Sequence, residues 1–504
     1  MNRVIILCAC ILLATTVIHA QTNLGFEAGL AGWQKGNDTD VVKINSANSH
    51  SGTACAMLQS AGSELYQKIS LGQLAIMQYN SHVKASDKGV EGYTFLRFYN
   101  AAGSLLLEYK IHPKFTDAYQ ESGNYTESPP GTDYIAIGVH KTSSEGVIYA
   151  DDFTVELNVG EPAVKPKPAV NLDQYLQPFW KGDTVYNETV LMYSINGRPA
   201  TSKLLYMPSK IISVKSFDLK TEFANNTDYS LKGNVITRAA YSAMPYRADT
   251  SFSAKDLSWY NLQSQWVAVT YTHKDKWTGP VTTYKATSLP TAMAKLTAKK
   301  PLTIVAYGMS ITRGMDVSGY DNVAPYMPPY VNLFTYALQQ SFGYNDITLY
   351  NAGLPGSRVD WAAQYAETYI NPLHPDLVIL DFGMNDFWQY SPTQFKGFIQ
   401  TIISKIKAAN PAVEFLLLSN MKFDPAYVLD SDKYKNFYTS NLAGYNTVLQ
   451  QLQGPGVVNL DMTSLSDYIY HHKKAKDCIV NPLHPNDYMA RWYAQGMAAL
   501  FIVE

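Results

Sequence analysis

Four short segments of this 504-residue chain hold side chains suited to one reaction: Ser310 in YGMSIT (307–312), Gly353 and Gly356 in NAGLPGS (351–357), Asn385 in DFGMND (381–386) and His484 in NPLHPND (481–487). A hydroxyl, an imidazole, a side-chain amide and two glycine N–H groups are the parts of acyl transfer. They supply a nucleophile, a base within reach of it, and donors for a developing oxyanion. A Gly-x-Ser after an apolar run can equally just turn the chain, so the weight lies on all four segments meeting.

The elements that would bring them together can be read around them. Leu302–Gly308 is an apolar, β-branched run that reads as a buried strand of a parallel sheet, and ligands of such sheets bind beyond the strands' carboxyl ends. From Pro301 onward the runs LTIVAYG, DITLYNAG, PDLVILDFG, VEFLLLSN and GVVNLDM alternate with helical segments, the pattern of a doubly wound sheet. The clearest helix starts after Ser391: Pro392 suits its first turn, Gln394 completes a capping box, and Phe395, Phe398, Ile399, Ile402, Ile403 and Ile406 share a face. A last helix is expected over about 487–501. Three of the four segments then end strands and open on one rim, and the fourth precedes the final helix.

In this order and at this spacing, the four segments resemble the conserved blocks of the SGNH (GDSL-type) hydrolase family. The resemblance covers about the last two hundred residues and implies a flavodoxin-like α/β fold with esterase activity and no cofactor. It places the nucleophile at Ser310, whose own N–H is one oxyanion donor, with further donors from the Gly356 N–H and the Asn385 amide, and the base at His484. The G-x-S-x-G elbow of α/β-hydrolases is excluded because Thr312 stands where it needs glycine. Two positions depart from the family pattern. Met309 replaces the usual Asp before the serine, and Asn481 replaces the usual acid three residues before the histidine. Three readings follow: a Ser–His dyad with Asn481 orienting the ring, a substitute carboxylate among Asp386, Asp477 and Asp487, or an inactive site. Arg313, Asp316, Asp360, Trp361, Phe387 and Trp388 also follow the blocks, where aromatic rings could stack on a sugar or simply pack between loops. His471, His472, Lys473 and Lys474 read as a solvated polar face.

The preceding 300 residues have another character. Residues 1–20 (Arg3, an apolar run, Ala20) have the form of a secretory signal peptide, so a secreted or periplasmic protein is expected, with Cys10 a less favoured lipid-attachment site. Residues 21–158 show short alternating runs such as YTFLRFY and YIAIGV, the pattern of an antiparallel sandwich. Their ends, NLGFEAGLAGW and IYADDFTVEL, resemble the first and last strands of carbohydrate-binding-module jelly rolls. In such modules acidic residues of these strands hold a structural calcium, which the resemblance would extend to Glu27 and Asp152; solvated carboxylates are the simpler reading. Residues 159–170 form a proline-rich linker, and 171–295 read as a second β-sandwich, with a hairpin at Asn196-Gly197. The catalytic domain would span 296–504. A net charge of −2 offers no basic field for nucleic acid, and past the leader no run is apolar enough to span a bilayer. The substrate expected from this assembly is an acetylated polysaccharide or oligosaccharide. A non-catalytic glycan-binding protein and an esterase of lipids or thioesters are the alternatives.

Overall fold

A computed structural model describes residues 23–37, 42–158, 167–248, 265–423 and 441–503. The expected signal peptide and most of the expected linker lie outside them. Contacts divide the chain into two compact units, 1–157 and 158–504. Within the second, the β-rich stretch expected over 171–295 packs against the α/β part.

The first unit holds two five-stranded antiparallel sheets. One orders its strands 34–35, 64–70, 134–141, 92–99 and 105–111, the other 42–45, 55–58, 148–157, 76–85 and 120–127. Alternating side chains of both sheets meet in a shared core, which includes Phe26, Trp33, Leu96, Ile137 and Phe153. The opening segment joins that core directly, Trp33 lying 4.8 Å from the ring centres of both Phe26 and Phe153.

In the second unit a five-stranded parallel sheet is formed by β1 (Leu302–Gly308), β2 (Ile347–Gly353), β3 (Leu377–Asp381), β4 (Glu414–Ser419) and β5 (Val457–Asp461). Its order, β2-β1-β3-β4-β5, is the flavodoxin-like one, with the reversal of winding beside β1. Register decides where the chemistry falls. Gly308 pairs with Gly353 on one side and with Asp381 on the other, so three of the four segments leave the sheet at one level.

The helix at Pro392–Ala409 begins as its sequence dictates. Ser391 Oγ accepts from Gln394 N while Gln394 Oε1 accepts from Ser391 N, and Phe395, Ile399, Ile402 and Ile406 are buried. Each such side chain contributes roughly 1.5–3 kcal/mol of apolar transfer. The last helix, Asp487–Ala499, is buried along its whole length. A three-stranded antiparallel sheet (184–191, 266–273, 208–216) explains part of this, because Arg491 donates to the carbonyls of Tyr186 and Asn187 in that sheet. A five-stranded sheet of short strands completes the β-rich region, and Tyr193 pairs with Thr201 across the turn at Asn196 and Gly197, both at positive φ.

Candidate active site

Ser310 opens a single helical turn, Ser310–Arg313, directly beyond β1. The turn is drawn tight against its neighbours. A Cβ on Gly308 would lie 2.0 Å from Thr312 Oγ1 and 2.6 Å from the Asp381 carbonyl oxygen, so only glycine fits at the strand's end. Thr312, the residue that breaks the G-x-S-x-G pattern, accepts from Met309 N (3.0 Å) and donates to Asp381 Oδ2 (2.8 Å). Asp381 also accepts from Tyr330 and Asn420, and burial pushes its carboxyl up to about 6.

The second and third segments lock onto the first. Leu354 N and Ser357 Oγ both donate to the Gly308 carbonyl, at 3.0 and 3.1 Å. Gly356 has φ +78° and nothing within 4 Å of a notional Cβ, so its backbone conformation and not crowding asks for glycine. Asn385 Nδ2 donates one hydrogen to the Ser357 carbonyl (2.9 Å) and lies 3.8 Å from Met309 Sδ, beside the serine. A primary amide carries two hydrogens, and the one directed at the weak thioether acceptor Met309 Sδ is the more easily given to a ligand.

His484 Nε2 stands 2.8 Å from Ser310 Oγ. Its Nδ1 stands 2.5 Å from Asp316 Oδ2, and a carboxylate can only accept there, so the proton sits on Nδ1 and the Nε2 lone pair faces the hydroxyl. Asn481 acts on both. Its Oδ1 accepts from the N–H groups of Leu483 and His484, which fixes the amide's orientation, and its Nδ2 then donates to Asp316 Oδ2 at 2.7 Å.

The carboxylate beside the imidazole is thus Asp316, six residues after the serine and at φ +68°, and none of the three substitutes expected from sequence takes that place. Asp386 accepts from Val359 N and Gly383 N and ties two loops together, burial raising its carboxyl to about 7. Asp477 accepts from Leu191 N. Asp487 accepts from Ser318 N (2.8 Å) and Ser318 Oγ (2.6 Å), which braces the loop carrying Asp316. Asp316 was visible in sequence only as an acid near the rim; its pairing needs a loop that folds back.

The histidine loop is held from the accessory sheet. Asn486 caps the last helix through Oδ1, and its Nδ2 donates to Thr189 Oγ1 and the Asp477 carbonyl. Lys473, expected on a solvated face, is instead buried, because Glu188 of strand 184–191 meets its Nζ at 2.6 Å with both side chains sealed from solvent. His471 and Lys474 are exposed as expected.

The other rim residues divide. Arg313 donates to the Asn351 carbonyl, Asp360 pairs with Arg358, Trp361 packs among Tyr307 and Tyr369, and Phe387 is buried against Phe423. Trp388 stays half exposed, three residues beyond Asn385.

The residues of the expected calcium pair lie in the first unit. Glu27 accepts from Thr53 N, Thr53 Oγ1 and Ala54 N, and these bonds hold its carboxyl below the usual range. Asp152 accepts from Ser51 Oγ and meets His50 Nδ1. Calcium takes six to eight oxygens, whereas the groups filling these carboxylates are N–H, O–H and imidazole. As arranged, they do not fit that ion.

A serine, a histidine and an aspartate in line, at the C-terminal rim of a flavodoxin-like sheet, define a serine-hydrolase arrangement. Residues 306–492 match the model of the GDSL-like Lipase/Acylhydrolase family. Among solved structures the chain is similar to a two-domain esterase (CEX) active on acetylated mannans, at 20% identity over 43% of this chain and 53% of that one, TM-score 0.34. It is also similar to a mutant of Axe2, an acetyl-xylooligosaccharide esterase from Geobacillus Stearmophilus, at 17% identity over 38% and 91%, TM-score 0.31. A Family 16 Carbohydrate Binding Module matches at 18% identity over 27% and 96%, TM-score 0.24. The chain thus spans about half of the two-domain esterase and nearly all of the single module. No curated protein matches.

Proposed function

We propose that this protein is an exported serine esterase that hydrolyses acyl esters, O-acetyl groups foremost, on polysaccharide or oligosaccharide. The observation that carries the reading is the line of three groups in which Ser310 Oγ lies 2.8 Å from His484 Nε2 and His484 Nδ1 lies 2.5 Å from Asp316. Ser310 Oγ attacks the ester carbonyl as its proton passes to His484, and Asp316 stabilises the imidazolium formed. The N–H groups of Ser310 and Gly356 and the Asn385 amide, turning one hydrogen away from Met309 Sδ, receive the oxyanion. His484 returns the proton to the departing sugar hydroxyl, and water, activated by the same imidazole, releases the acid. Asn481 is a positioning residue: it holds Asp316 and the backbone N–H of His484.

The glycan substrate is supported by the antiparallel sandwich in the first unit and by the resemblance of its end strands to carbohydrate-binding modules. Export is supported by the form of residues 1–20. The test is release of acetate from a panel of native acetylated glycans by wild type beside Ser310→Ala. Release by wild type alone supports the proposal. Equal release by both rejects Ser310, and release confined to long-chain acyl esters assigns the site to lipids.

A further inference from the structure

We propose that His50, His82 and Asp152 bind a zinc-type transition-metal dication on the first unit. The three arrive from separate parts of one sheet. His50 lies on the loop between strands 42–45 and 55–58, His82 is inside strand 76–85, and Asp152 belongs to strand 148–157. In a regular ladder Asp151 and Asp152 would point to opposite faces. Here the register between 148–157 and 76–85 shifts after Asp151, and Asp152 takes φ +48°, so the bulge re-aims its side chain. Asp151 accepts from His50 N and Asp152 from Ser51 Oγ, which pins the His50 loop over the bulge.

What assembles is a mixed nitrogen and oxygen donor set. One ligand atom from each residue lies within 4.8 Å of the other two. His50 Nδ1 and Asp152 Oδ2 are 2.7 Å apart, and the imidazoles of His50 and His82 lie face to face with centres 3.8 Å apart. His82 Nδ1 is buried with no hydrogen-bond partner among the described residues. Zinc takes such nitrogens and oxygens at about 2.0–2.2 Å, which sets ligand atoms about 3.3 Å apart. Reaching that requires His50 to turn from its stacked position, and its side chain is partly exposed on a loop. Three protein ligands leave a fourth position for water. Asp152 Oδ1, bonded to Ser51, already has the outer contact that orients ligating carboxylates. Imidazole suits zinc, copper and nickel and not calcium, which agrees with the poor fit of calcium to Glu27 and Asp152.

The full chain, stripped with chelator and dialysed against Zn2+, should retain one ion per chain at neutral pH and show thermal stabilisation by Zn2+ but not by Ca2+. His82→Gln and Asp152→Asn should each weaken retention about tenfold or more while hydrolysis of a small acetate ester stays unchanged, which separates this site from the hydrolase site. Co2+ loaded into wild type gives a readout independent of the variants, a visible absorption band of imidazole-ligated metal. No retained zinc, zinc surviving both substitutions, no cobalt band, or preferential stabilisation by calcium would each overturn the proposal.

Discussion

If Asp316 does the work usually given to the acid three residues before the histidine, exchanging two side chains should first remove the function and then restore it. In Asp316→Asn the imidazolium formed in the reaction loses its anion, and the amide can present a donor to Nδ1 and favour the wrong tautomer. The comparable change in a serine protease lowers turnover about 10⁴-fold, or about 5 kcal/mol of barrier. A fall of 10²–10⁴-fold is expected here, in kcat more than in KM. Asn481→Asp puts a second carboxylate where the amide now lies 2.7 Å from Asp316 Oδ2. The added carboxylate repels Asp316 and removes the amide's hydrogen bond to it, but a carboxylate still faces Nδ1, so a loss of about tenfold or less is expected. The double variant Asp316→Asn/Asn481→Asp returns one carboxylate and one amide to the pair. Position 481 already stands 3.1 Å from Nδ1, so turnover should recover about tenfold or more over Asp316→Asn. Initial rates on 4-nitrophenyl acetate, with active sites titrated, give the comparison. Asp316→Asn within threefold of wild type, or a double variant no better than that single one, would refute the assignment.

Other consequences follow from the same contacts. Gly308→Ala places a methyl against Thr312 and the Asp381 backbone; the overpacking costs about 1–3 kcal/mol, and turnover should drop about tenfold or more, whereas unaltered kinetics would mean the rim yields freely. Asp386, with a folded pKa of about 7 against an ordinary value near 3.8, favours the folded state fully below pH 4, and that contribution fades as pH rises through 7. Thermal unfolding of wild type and Asp386→Asn should therefore show the wild type's lead shrinking between pH 5 and pH 8, and a lead that widens contradicts the burial argument. Trp388→Ala should raise KM on an acetylated glycan several-fold and leave 4-nitrophenyl acetate untouched; equal effects on both would make the ring part of the scaffold.

What the sequence made legible is what neighbouring residues decide. The capping box at Ser391 and Gln394, the buried stripe from Phe395 to Ile406, the five apolar strands and the turn at Asn196-Gly197 each follow from period or cap chemistry, and each is present. Ser310 and His484 could be named because their segments are distinctive, although 174 residues separate the two atoms that meet. Asp316 could not, since nothing local tells an acid that will face an imidazole from one that faces water. Its role depends on Asp487 bracing Ser318 and on Asn481 filling the vacated position. The burial of Lys473 is hidden for the same reason: a lysine beside another lysine looks solvated until Glu188, 285 residues away, is seen against it.

The most direct test of the Ser310–His484–Asp316 arrangement is mass spectrometry of the full chain after reaction with a fluorophosphonate, which marks an activated serine. The arrangement predicts one adduct, on the peptide containing Ser310, lost in His484→Ala and formed far more slowly in Asp316→Asn. An adduct elsewhere, or labelling of Ser310 at an unchanged rate in both variants, would contradict it.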